Sequence, residues 1–236
     1  MEKLSDRVGL FDLWAVFFPG SIGILELLLC LGIIWSFCRD CSIITAFEKI
    51  LSVNISGWIV LIFISFLLGI VFQEIGRWLC KVFKSPTASI GFLDPKNGVF
   101  TENEIDSLRA FFIKYGWDGK SEAESKTIFR RINVEALERG VAERYVKLSV
   151  IQNMSLSLSV AMLLGAIMAL ILLVFGIANR SGYVSFVMAT FFVICSFLSI
   201  LFFRRSKRFN RYWVRNLVYA MSEKKRWTED EHAKRC

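Results

Sequence analysis

The sequence predicts an all-α, polytopic membrane protein. It should have four transmembrane helices, a small helical cytoplasmic insert between the second and third, and an amphipathic C-terminal helix. Three observations carry that expectation. Of the 236 residues, 55% are hydrophobic and the mean hydropathy is +0.51, beyond the roughly 45–50% apolar content of ordinary soluble domains. The apolar residues come as unbroken blocks: no charged side chain lies between Lys49 and Glu74, between Lys147 and Arg180, or between Arg180 and Arg204. Each interval exceeds the roughly 20 residues of helix that cross a hydrocarbon core. Finally, the cations are asymmetric. With both termini inside, 26 of the 29 Lys and Arg residues lie on the cytoplasmic side, as the positive-inside rule requires.

The first block runs from Leu13 to Cys38 and is interrupted only by Glu26. Mixed charges precede it and no A-x-A-like site follows, so it reads as a retained span rather than a signal peptide. The spans are then about 13–37, 52–75, 150–178 and 182–203. They divide the chain into a first transmembrane pair (1–76), a cytoplasmic insert (77–147), a transmembrane hairpin (148–203) and a basic tail (204–236). The hairpin follows from the tight turn around Asn179-Arg180-Ser181-Gly182. The net charge of +8 is explained by topology and by attraction to anionic lipid; nucleic-acid binding is not required. Cys38 and Cys41 form C-R-D-C just past the first span, where incidental thiols and an external disulfide are both open readings.

Two features of the first span stand out. Glu26 places a carboxyl group in an apolar segment, at about 2.5–3.5 kcal/mol on insertion scales. It reads either as part of a pore, an ion or proton site or a partner contact, or as a neutral group hydrogen-bonded to a neighbouring helix. Its candidate partners are hydroxyls of the third span or the same residue of another subunit. Pro19-Gly20 interrupts the helix, because proline lacks an amide donor and clashes one turn back. The preferred geometry lays residues 8–18 along the inner leaflet and starts the span at Pro19, a first-turn position where proline is tolerated; a mid-helix kink is the alternative.

In the insert, Asp94-Pro95-Lys96-Asn97-Gly98 is a turn. Thr101-x-x-Glu104 is a capping box with Phe100 and Ile105 as its hydrophobic staple, and a helix should run to about Tyr115 and stop at Gly116. Ser121-x-x-Glu124 is a second capping box. The helix after it carries Ile128, Ile132, Ala136, Val141 and Tyr145 at a roughly helical period and either continues into the third span or bends near Gly140. Glu74 and Arg77, at i and i+3, can pair at the inner end of the second span.

The third span repeats small residues every four positions, Ser157, Ala161, Gly165 and Ala169, a face that lets a second helix approach within or between chains. In the tail, Phe209, Tyr212, Trp213, Leu217 and Ala220 share a face. With Arg205, Arg208, Arg211 and Arg215 around them, they read as an interfacial surface for anionic headgroups or as a surface that docks on the insert or a partner.

The only histidine is His232, and no nucleotide, zinc or nucleophile motif is present. The chain therefore reads as a non-enzyme without a cofactor or metal. With Phe11-Asp12-Leu13 leading to Pro19-Gly20, it resembles a loose group of four-span bacterial inner-membrane proteins. Some of these are similar to membrane components of phage defence, such as the four-span subunit of Kiwa or the transmembrane effectors of nucleotide-signalling systems. The sparse outer face, the cytoplasmic bulk, Glu26 and the small-residue face favour an oligomeric effector or sensor of the inner membrane, with lipids, further copies of itself and a cytosolic protein as partners; the resemblance implies a place in antiviral defence. A membrane anchor for a cytosolic protein and a small transporter are the other readings.

Overall fold

The computed structural model describes residues 2–39, 55–82, 92–95, 98–118, 125–141, 143–178 and 181–233. Among them every regular element is helical: α1 (Glu2–Arg39), α2 (Ile55–Val82), α3 (Glu102–Ser107), α4 (Arg109–Lys114), α5 (Ser125–Glu138), α6 (Glu143–Ala178) and α7 (Gly182–Ala233). Four of these are long and apolar enough to cross a membrane, over Leu13–Trp35, Gly57–Val82, Lys147–Ala178 and Gly182–Glu223. The chain is an all-α, multi-pass membrane protein. The second capping box and Cys41 lie outside the described residues, as does the side chain of Cys38.

The chain forms two compact units. One comprises Met1–Leu79 and Asn153–Ser206; the other comprises Cys80–Gln152 and Lys207–Cys236. Insert and tail, separate segments in sequence, thus belong to one unit. The fourth span and the tail form one uninterrupted helix of 52 residues, since neither glycine nor proline occurs after Gly182 to stop it.

In the first unit α1 corrects the sequence expectation. The helix does not begin at Pro19; Pro19 lies inside a continuous helix of 38 residues, fully buried. The cost of the missing amide is met by close packing. A Cβ on Gly20 would strike the carbonyl of Ser65 on α2, and a Cβ on Gly69 would strike the carbonyl of Val16 on α1. The two glycines therefore let the backbones touch on both sides, the geometry in which Cα–H groups lie against carbonyl oxygens. Irregular helical backbone is tolerated in a membrane where a neighbouring helix covers it. Phe72 of α2 then packs on Val160 and Ala161 of α6. Near the other end, Cys30 and Ile33 meet Leu172, Val184 and Met188.

α6 and α7 are fastened by a reciprocal serine pair. Ser159 Oγ donates to the Ser199 carbonyl at 2.9 Å, and Ser199 Oγ donates to the Ser159 carbonyl at 2.9 Å. Interhelical hydrogen bonds of this kind contribute about 0.6 kcal/mol on average in membranes.

The second unit is built on aromatic rings. Phe92 stacks edge-on against Phe112 at 5.7 Å and Phe129 at 5.9 Å, and Phe100 meets Phe112 at 6.2 Å. The tail segment of α7 closes this core with Val214, Leu217, Val218 and Met221. The Thr101 capping box is present in both directions, and Phe100 and Ile105 are buried beside it. α4 and α5 both end in Schellman motifs. Trp117 N–H donates to the Phe112 carbonyl and Gly116 N–H to that of Ile113; Val141 N–H donates to the Ala136 carbonyl and Gly140 N–H to that of Leu137. Gly140, at φ +65°, thus breaks the insert helix before α6.

The glycine contact can be checked directly. Gly69→Ala should lower the thermal midpoint of the detergent-solubilised protein, by the equivalent of about 1–3 kcal/mol for overpacking. Val71→Ala, two residues on and half exposed, should leave it nearly unchanged. Equal midpoints for the two variants would refute the backbone contact.

Candidate functional site: a buried carboxyl and a basic helix

Glu26 is only 4% exposed, and neither carboxyl oxygen has a hydrogen-bond partner among the described residues. α1 carries it to α6 at Gly165. A Cβ on Gly165 would overlap Glu26 Oε1 and stand 2.6 Å from Glu26 Cδ, so the glycine supplies the space that the carboxyl fills. The thiols of Cys30, one turn along α1, and Cys195 of α7 lie within electrostatic range of the carboxyl. Buried polar groups in folded proteins are nearly always bonded, which makes this one exceptional.

The small-residue face of α6 is buried within the chain: Ser157, Ala161 and Ala169 have no exposed surface, and Gly165 lies under Glu26. The hydroxyls expected to meet Glu26 are committed elsewhere. Ser157 Oγ donates to the Asn153 carbonyl at 3.0 Å, and Ser159 is in the clamp to Ser199. Pro19 and Gly20 sit in the α1–α2 contact and not at a helix entry. Glu74 and Arg77 pair at 2.6 Å in an exposed position.

On α7, Arg205, Arg208, Arg211 and Arg215 are exposed. Of the two roles read for this face, Trp213 takes the one that docks on the insert: its ring is partly buried and meets Phe129 edge-on at 5.2 Å. Here α7 turns Val214, Leu217 and Val218 inward and leaves these arginines, with Tyr212, to solvent.

The residue that sequence reasoning undervalued is Glu104. Besides accepting from the Thr101 backbone N–H at 2.8 Å, its carboxyl accepts from Tyr219 Oη at 2.9 Å and pairs with Arg215. The capping box marked Glu104 as a helix cap. Its partners on α7, more than a hundred residues away, left no local signal. The Thr101 N–H, with Tyr219 and Arg215, holds the Glu104 carboxyl below the usual carboxylate range. Among the described residues no group of three or more His, Cys, Asp or Glu side chains could hold a metal ion.

Comparison with known families, with curated proteins and with solved structures finds no match for the chain.

The depressed Glu104 pKa fixes a pH dependence. The ionised, bonded carboxylate stabilises the second unit above the unfolded-state value of about 4.3, and that contribution is lost as pH falls through the lower folded-state value. Amide hydrogen-exchange protection factors of the second unit in the intact protein should therefore fall below about pH 4.3 more in wild type than in Glu104→Gln. Parallel pH profiles would show that Glu104 does not tie α3 to α7.

Proposed function

We propose that the chain is a non-enzymatic sensor or effector of the bacterial inner membrane. Its termini and second unit face the cytoplasm, it acts as a homo-oligomer in contact with membrane lipids, and its spans change membrane permeability when the cytoplasmic unit receives a signal. The unpartnered carboxyl of Glu26 is the observation that carries this reading. A structural acid would hold a hydrogen bond to a neighbouring helix, as Ser159 and Ser199 do. Glu26 makes none among the described residues, and an unsatisfied buried polar group costs about 1–3 kcal/mol. An arrangement that brings water or a cation to the carboxyl recovers that cost. The group thus favours a second, hydrated state of the helices, and packed helices switch between discrete states. The cation asymmetry supports the orientation, and the antiviral role implied by the resemblance is compatible with permeabilisation.

The test is dissipation of the membrane potential in bacterial cells expressing the full chain, followed with a potential-sensitive dye. Over-produced wild type, which populates the hydrated state in part without the signal, should collapse the potential. Glu26→Gln, which cannot ionise, should slow the collapse by about tenfold or more, the effect of losing 1.4 kcal/mol from a barrier. An intact potential with wild type, or equal rates for the two, contradicts the reading.

A second reading, an anchor that recruits a cytosolic protein, is favoured by one observation. Ile113, Val134 and Leu137 of the second unit are 56%, 48% and 55% exposed. Their joint replacement by serine would abolish a stoichiometric partner on that reading and leave the membrane potential effect untouched on the first.

A further inference from the structure

In the second unit, Gly98 and Val99 lie against the exposed face of α7. Gly98, Val99, Arg208, Arg211, Tyr212 and Arg215 line a cleft of ≈ 270 Å³. The turn is fixed by Gly98 N–H donating to the Pro95 carbonyl at 3.0 Å, with Gly98 at φ +63°, a conformation that glycine adopts without steric cost. A Cβ at Gly98 would stand 3.6 Å from Arg211 Nη1, so turn backbone and guanidinium face each other across the cleft.

The three arginines differ in their commitments. Arg215 is paired with Glu104 and its guanidinium lies 5.8 Å from the Tyr219 ring centroid; it is a fixed wall. Arg208 and Arg211 have no ion-pair or hydrogen-bond partner among the described residues. Spaced i and i+3, they occupy one side of the helix, one and two turns before Arg215, and Tyr212 lines the same cleft. Guanidinium forks match tetrahedral oxyanions in geometry and bind them through two parallel hydrogen bonds.

We propose that this cleft is a binding site for a phosphate group, and that Arg208 and Arg211 are its ligands with Arg215 as a positioning residue. The volume is below the roughly 300–1,000 Å³ of sites that enclose drug-sized ligands, so the cleft holds the phosphate group and leaves the remainder of its carrier outside. Two carriers share this chemistry, a phosphomonoester lipid headgroup and a soluble phosphate compound. The site does not depend on the Glu26 reading: it lies on other residues, and loss of one function leaves the other measurable.

The experiment uses the full chain in detergent micelles. Pyrophosphate binding is followed by titration calorimetry against chloride at matched ionic strength. Retention of phosphatidic acid over phosphatidylcholine is followed by native mass spectrometry. Wild type should bind at least one probe saturably. Arg208→Gln/Arg211→Gln should weaken that binding by at least about tenfold, the effect of losing one charge-assisted hydrogen bond. Arg130→Gln, an exposed cation of α5, should leave it unchanged. Binding of pyrophosphate identifies a soluble carrier, and selective retention of phosphatidic acid alone identifies a lipid. Failure of wild type to bind either probe overturns the proposal without recourse to any variant. So does an Arg130→Gln effect equal to that of the double variant, which would reveal a diffuse field in place of a site. Retained binding in the double variant likewise overturns it.

Discussion

A carboxyl group in hydrocarbon must find a partner or be walled off, and the membrane unit is arranged around that demand. Glu26 projects from α1 onto Gly165 of α6, where a side chain is absent. Gly165 accommodates the carboxyl group, while Ser157, Ala161 and Ala169 above and below it keep the α6 surface low enough for close contact. The same economy of side chains governs the α1–α2 contact, where Gly20 and Gly69 face the carbonyls of Ser65 and Val16. In lipid, helix association draws on close packing and on hydrogen bonds rather than on release of water. Small residues at Gly20, Gly69, Ala161 and Gly165 supply the first, and the Ser159–Ser199 pair supplies the second.

The second unit follows the rules of water. Its aromatic core joins three short helices that could not be stable alone, since isolated helices below about 12–15 residues are marginal. The tail strip of α7 completes the core, and Glu104 connects the N-terminus of α3 to Tyr219 and Arg215 on that strip. This carboxylate is saturated with donors, the opposite of Glu26. Two glutamates are thus placed at opposite extremes, one accepting from Thr101, Tyr219 and Arg215 and one without a hydrogen-bond partner among the described residues.

Much of this is legible in the sequence alone. Charge-free blocks gave the four spans, because a bilayer imposes length and composition on anything that crosses it. The Thr101-x-x-Glu104 box and the Gly116 stop were readable because capping is local chemistry. Glu26 was conspicuous as an acid in an apolar run, and the small-residue face containing Gly165 was visible by its spacing. What could not be read was which surfaces meet. Pro19 suggested a bend, yet contact with α2 keeps α1 continuous, and nothing in residues 13–37 announces Gly69. Trp213 looked like an interfacial anchor because amphipathic helices at lipid and at a protein core share one pattern. Glu104 was marked as a cap but not as a link to α7, since pairing across more than a hundred residues leaves no sequence period.

The central claim is that Glu26 occupies the space left by Gly165, and a double-mutant cycle on thermal stability measures that contact. Gly165→Ala should destabilise the intact protein in detergent substantially, because its new methyl group meets the carboxyl. In a Glu26→Ala background the same substitution should cost little, giving a coupling within the 0.5–3 kcal/mol range of residues in direct contact. Additive effects, with Gly165→Ala equally costly in both backgrounds, would place Glu26 elsewhere and contradict the account of the membrane unit.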